Sequence, residues 1–259
     1  MTGFDDLCRA TVEKVRAALI PRIRDDPKFL GREKLVARFE DQVARCRTNE
    51  DFVQILETIN EIAAAVSILD SCEDITQIAY EPRLALTKKT IDFRLTFASG
   101  ARCWIDVKTV APRWMNDDAS WQRFERFAQD FPDNARLVVD RELGGAAISG
   151  QEIKARWSFI RWTREAEAKE ALLAPDEKAP VRLLLCSNGP MRKDGLEDFA
   201  DFYRTGCFRP DDWMRNAVAR HLKEENIVFS RTLVGFSYLY FRWEAATIDD
   251  FEIDVRGPE

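Results

Sequence analysis

The spacing of apolar positions changes character along the chain. Val12, Val15, Ala18 and Leu19 recur at helical intervals, and Pro21 is expected to end that segment. Leu35, Phe39 and Val43 predict a second helix. Thr48-Asn49-Glu50-Asp51 reads as a capping box, and a long helix should follow it to about Asp70. The core stripe of that helix is Phe52, Ile55, Leu56, Ile59, Ile62, Ala63 and Val66. Beyond Glu61 the opposite side also turns apolar, with Ala64, Ala65 and Ile68, so the helix should be buried all round from there.

The period then falls to two. Residues 75–81 read as a strand closed by Pro82. Over 90–97, Ile91, Phe93, Leu95 and Phe97 alternate with Asp92, Arg94 and Thr96. After Ala98-Ser99-Gly100, residues 101–110 read as a third strand, completing a meander. Further on, helices are expected over 120–130, 151–173, 196–203 and 211–223. A strand is expected near 135–140, followed by a glycine-containing loop to Gly150. A buried strand is expected over 181–186, and a hairpin over 228–243. This order predicts an α/β fold, with a central mixed sheet flanked by helices. The expected layout is an N-terminal helical segment (1–48), an α/β domain (49–243) with an insertion around 111–150, and an acidic tail (244–259).

Composition fits a soluble globular chain of 259 residues, 46% hydrophobic and 32% charged. The net charge of -6 at first disfavours nucleic acid as a partner. However, six acids and one base lie between Glu244 and Glu259, and the remainder is nearly balanced. No C-x-x-C pair occurs among the six cysteines, and no secretory signal or 18-residue apolar run is apparent. Reduced thiols, a cytoplasmic setting and no membrane span are therefore expected. The one histidine, His221, leaves little room for zinc or Ser-His-Asp chemistry. P-loop and G-x-G-x-x-G patterns are missing. Hydrolytic chemistry would have to run on carboxylates, lysine and a hard metal ion.

Asp106 and Lys108 share one face of the third strand, with Ile105 and Val107 on the other. A three-residue turn with Gly100 in the left-handed conformation would set Asp92 opposite Asp106, with Cβ atoms about 4.5–5.5 Å apart. A two-residue turn would set Asp92 opposite Val107 instead. Facing carboxylates repel, and Mg²⁺ or Mn²⁺ between them would relieve the repulsion. Glu61 is a candidate third oxygen donor, with Glu57 one turn earlier as its competitor. The alternative is an exposed hairpin in which Asp92 pairs with Arg94 or Arg102, and Asp106 with Lys108.

The order of a helical Glu61, Asp92 at a strand start and Asp106-Val107-Lys108 on the next strand resembles the PD-(D/E)XK, or restriction-endonuclease-like, nucleases. The resemblance spans about residues 50–110, and Ile91 stands where that pattern has proline. The (D/E)-x-K spacing alone is unspecific. It also occurs at Asp26–Lys28, Glu152–Lys154, Glu167–Lys169 and Asp176–Lys178.

The resemblance implies metal-dependent hydrolysis of phosphodiesters, most readily in DNA. Asp92, Asp106 and the Val107 carbonyl would hold Mg²⁺ or Mn²⁺, and Glu61 would bind a second ion or a water on the metal. Lys108 would orient the nucleophile or stabilise developing charge. Lys154, Arg161 and Arg164 are candidates for tracking a phosphate backbone, or else the polar side of an ordinary amphipathic helix. Lys88, Lys89, Arg113, Arg123 and Arg126 flank the site. Trp104 is a candidate base-stacking or core residue. A homodimer would suit cleavage of two strands. A catalytically inactive member of the fold, binding nucleic acid or protein, is the alternative.

Overall fold

The computed structural model describes residues 3–84, 90–110, 161–162, 164–179, 181–188, 235–242 and 247–256. These form one mixed seven-stranded sheet in sequential order, with helices against it, an α/β architecture. The expected elements at 120–130, 135–140, 196–203 and 211–223, and the loop to Gly150, lie outside the described residues.

Four helices open the chain: α1 (Gly3–Ala18), α2 (Ile20–Arg24), α3 (Arg32–Arg45) and α4 (Asn49–Ser71). Pro21 sits in the first turn of α2, where its missing N–H costs nothing, so the break falls at Leu19, two residues before the proline. Between α2 and α3, the two residues of β1 (Phe29–Leu30) pair in parallel with β2 (Ile75–Tyr80). The N-terminal segment is thus partly built into the sheet. Gly31, at φ +82°, starts α3 directly after β1. A Cβ there would sit 3.3 Å from the Tyr80 carbonyl oxygen, so glycine lets α3 begin against β2.

The capping box at α4 forms as expected. Thr48 Oγ1 accepts the Asp51 N–H at 3.1 Å, and Asp51 accepts the Thr48 N–H at 2.9 Å. The helix is the centre of the core. Phe52, Ile55, Leu56, Ile59 and Ile62 to Val66 are fully buried, and α4 packs across β4, β5, β6 and β7. It is long and apolar enough to span a membrane by composition, a property shared by buried core helices such as this one.

The meander consists of β2, β3 (Phe93–Phe97) and β4 (Arg102–Val110), antiparallel throughout. β5 (Val181–Asn188) then adds in parallel to β4, and β6 (Gly235–Arg242) in parallel to β5. β5 is a central strand, and its apolar run Leu183–Cys186 is buried on both faces. The terminal hairpin is displaced from its expected position. β6 pairs with β7 (Thr247–Arg256), so most of the acidic stretch expected as a tail is the edge strand of the sheet. In the sequence, Phe251, Ile253 and Val255 alternate with polar positions, and charged residues are tolerated on an edge.

The two sheet faces are covered by different helices. Ile105, Val107, Leu184 and Cys186 belong to the core under α4. The intervening residues Trp104, Val181, Leu183 and Leu185 are equally buried but lie outside that cluster. Residues 161, 162 and 164–170 are helical, with Ala166 fully buried. The helix expected over 151–173 therefore ends at 170, and its first half lies outside the described residues.

Candidate metal-dependent site at the β3–β4 hairpin

The register of the hairpin places the two aspartates. Gly100 has φ +81°, and Phe97 and Ala101 bond across the turn at 2.9 Å. Phe93 pairs with Ile105, so the next position brings Asp92 level with Asp106. The three-residue turn is the one that forms. Asp92 lies just before β3, in a bend. Its Oδ2 accepts the Val107 N–H at 2.7 Å, and its carbonyl accepts the Glu81 N–H at 2.7 Å. Asp92 is thus held at both its main chain and its side chain.

Asp106 is fully buried, at 0% exposure. Two lysines reach it. Lys108 Nζ lies 3.1 Å from Oδ2, and Lys169 Nζ donates to Oδ1 at 2.8 Å. Lys108 sits two residues further along the same strand face, as strand geometry dictates. Lys169 arrives on the helix 164–170. Oδ2 of Asp106 is buried and makes no hydrogen bond of good geometry among the described residues. Asp106 is buried and Lys108 only partly exposed, unlike the solvated pair of the exposed-hairpin alternative. Arg94 and Arg102 are also committed elsewhere. Arg94 pairs with Glu177 at 3.4 Å, and Arg102 donates to the Asp176 carbonyl at 3.1 Å. Trp104 is a core residue, fully buried, with Nε1 bonded to the Glu177 carbonyl at 3.1 Å.

The two carboxyls ionise differently. Burial pushes Asp92 well above the ordinary aspartate value, and the neighbouring charges of Asp106 and Glu61 push it further. Lys108 and the Val107 N–H only partly offset this. Burial also acts upward on Asp106, but Lys108 and Lys169 outweigh it and hold that carboxyl below its ordinary value. Asp106 is the charged member, and the ionisation of Asp92 is resisted.

Glu61 is buried at 7% exposure, whereas Glu57 is exposed. Of the two candidates, Glu61 is therefore the interior carboxylate. Its partners come from other elements. Tyr80 Oη donates to Oε2 at 2.6 Å, and Arg38 Nη1 lies 3.2 and 3.3 Å from the two oxygens. Arg38 also reaches Tyr80 Oη at 2.9 Å and Glu81 at 3.5 Å. Lys34 pairs with Glu81 as well. Glu81 carries φ +40°, an uncommon conformation for a non-glycine residue. That strained residue ties the Glu61–Arg38–Tyr80 group to the Asp92 main chain.

The structure brings Asp92, Asp106 and Lys108 together, with Val107 as the hydrogen-bonding link. Glu61 acts on Asp92 electrostatically, but its oxygens are engaged by Arg38 and Tyr80. Among the described residues, no group of three acidic, cysteine or histidine side chains converges as a ready metal cage. Of the expected phosphate-tracking residues, Arg161 and Arg164 are exposed, and Arg161 lies 3.6 Å from Glu165. Lys154, Lys88, Lys89, Arg113, Arg123, Arg126 and His221 lie outside the described residues.

The sequence reading missed Lys169, Arg38 and Tyr80. The one sequence signal at Lys169, the Glu167–Lys169 spacing, is unspecific. Arg38 and Tyr80 carried none. No family model matches the chain, and no curated protein or solved structure matches it either.

Proposed function

We propose that this chain is a divalent-metal-dependent phosphodiesterase acting on nucleic acid, most readily DNA, with a restriction-endonuclease-like core. The observation that carries the reading is the Asp92–Asp106 pair. The two residues stand level across a hairpin and repel each other electrostatically, Asp92 resists ionisation, and Asp106 keeps a buried oxygen without a good hydrogen bond. The donors are all hard oxygens, which suit Mg²⁺ or Mn²⁺.

Asp92 and Asp106 would hold the ion, with the Val107 carbonyl as a further donor and Glu61 behind Asp92. A divalent ion supplies positive charge to the phosphate and lowers the pKa of an attacking water. The chain's own residues do the rest. The Val107 N–H and the Glu81 N–H fix Asp92 in position. Lys108, partly exposed at 16%, can orient a water or meet the negative charge that develops on phosphate oxygens.

The test is incubation of the full chain with supercoiled plasmid, single-stranded DNA and RNA, in Mg²⁺, Mn²⁺ or EDTA. Metal-dependent cleavage that disappears in Asp106→Asn and Lys108→Ala is expected. Cleavage surviving both changes would remove this site assignment. A second reading has its own support, since Lys169 and Arg38 neutralise two of the three carboxylates without any metal. An inactive nucleic-acid-binding protein would retain DNA in a gel shift and cut none of these substrates.

A further inference from the structure

We propose that Lys169 is a resident cation that competes with the divalent ion for Asp106, a positioning role that rests on the metal-dependent reading above. The lysine belongs neither to the hairpin nor to the helix α4 that carries Glu61. It comes from the helix 164–170, on the opposite face of the sheet from α4, and places Nζ 2.8 Å from Oδ1 of a carboxylate with no exposed surface. Asp106 therefore carries two ammonium partners for one negative charge. A metal ion on Asp106 would meet Lys169 as a like charge at contact distance, where repulsion in a poorly hydrated site is strong.

The lysine is able to yield. Its side chain is 18% exposed and ends a flexible four-carbon stem, so the ammonium can turn to solvent while the stem stays packed. Lys169 holds the Asp106 carboxylate in place when no metal is bound, and it lowers metal affinity in return. A merely structural lysine would have the opposite effect, because its loss would disorder Asp106 and weaken metal binding.

The experiment is Mn²⁺ binding to the full chain, followed by the electron paramagnetic resonance signal of free Mn²⁺ and by calorimetry, with folding checked by circular dichroism. Lys169→Met should bind Mn²⁺ at least about tenfold more tightly than the unaltered chain. Lys169→Arg, which keeps the charge, should bind about as the unaltered chain does. Lys169→Gln carries the same test if the methionine variant fails to fold. Unaltered or weaker Mn²⁺ binding in a folded neutral variant overturns the proposal and leaves the metal-dependent reading standing. Binding gained only in the neutral variant supports the competition and removes the metal from the unaltered chain. No binding in any variant overturns both.

Discussion

The Asp92 carboxylate accepts the main-chain N–H of Val107 at 2.7 Å, which locks the end of one strand to the middle of the next. That bond fixes Asp92 beside Asp106, where its own ionisation is resisted. Asp92→Asn should keep the bond through its amide oxygen and relieve the repulsion. In metal-free buffer we expect a stability gain of about 1 kcal/mol, or a rise of ~2–4 °C in Tm for a chain of this size. A carboxyl whose folded value is raised destabilises the fold progressively as pH climbs from the unfolded to the folded value. The gain should therefore grow as pH rises through the raised folded value and vanish on acidification below the ordinary aspartate range. Thermal melts across pH, with and without Mg²⁺, check this. An Asp92→Asn variant less stable than the unaltered chain at pH 7 would contradict it.

Lys108 and Asp106 have separable contributions. Lys108→Ala removes a charge close to where phosphate would lie and should lower the cleavage rate by on the order of a hundredfold or more. Mn²⁺ binding should persist in that variant, because its donors are untouched. Asp106→Asn should lose cleavage and Mn²⁺ binding together. Rate measurements paired with metal titrations separate the two effects.

The parts of this site legible in the sequence were those set by local rules. The capping box at Thr48 and Asp51 marks the start of α4, and the left-handed Gly100 sets the register that aligns Asp92 with Asp106. Strand alternation then put Lys108 beside Asp106. What could not be read depends on crossovers. The parallel pairing of β4 with β5 accompanies a return of the chain that sets Lys169 on Asp106 from 63 residues away. Arg38 meets Glu61 because β1 and Gly31 dock α3 on β2, and a two-residue strand leaves almost no periodic signal. In β7, charge density masked an alternation that an edge strand tolerates.

Glu61 depends on Arg38 and Tyr80. Removing Arg38 leaves a buried carboxylate with one hydroxyl partner, so Arg38→Met should cost about 3–5 kcal/mol. Tyr80→Phe removes the bond donated to Glu61 and the bond accepted from Arg38, and should cost at least about 1.5–3 kcal/mol. Adding Glu61→Gln to Arg38→Met should recover part of the loss, since the uncompensated charge is gone. Urea denaturation of the single and double variants gives the coupling directly. Additive losses would mean that Arg38 stabilises the fold through its other contacts and not through Glu61.

The turn at Gly100 tests whether the backbone sets the site. A Cβ at Gly100 would meet nothing within 4 Å, so any penalty there is conformational and not steric crowding. Gly100→Ala should cost about 1–2 kcal/mol, the price of the left-handed region for a residue with a Cβ. Gly100→Asn should cost less, because asparagine enters that region more readily, and Gly100→Val should cost more. Denaturation midpoints should follow the order Gly, Asn, Ala, Val. Cleavage at low temperature should hold in the asparagine variant, whose turn keeps Phe97 paired with Ala101 and hence Asp92 level with Asp106. If alanine and asparagine proved equally tolerated, the turn would have another conformation available, and the alignment of the two aspartates would rest on the Val107 bond alone.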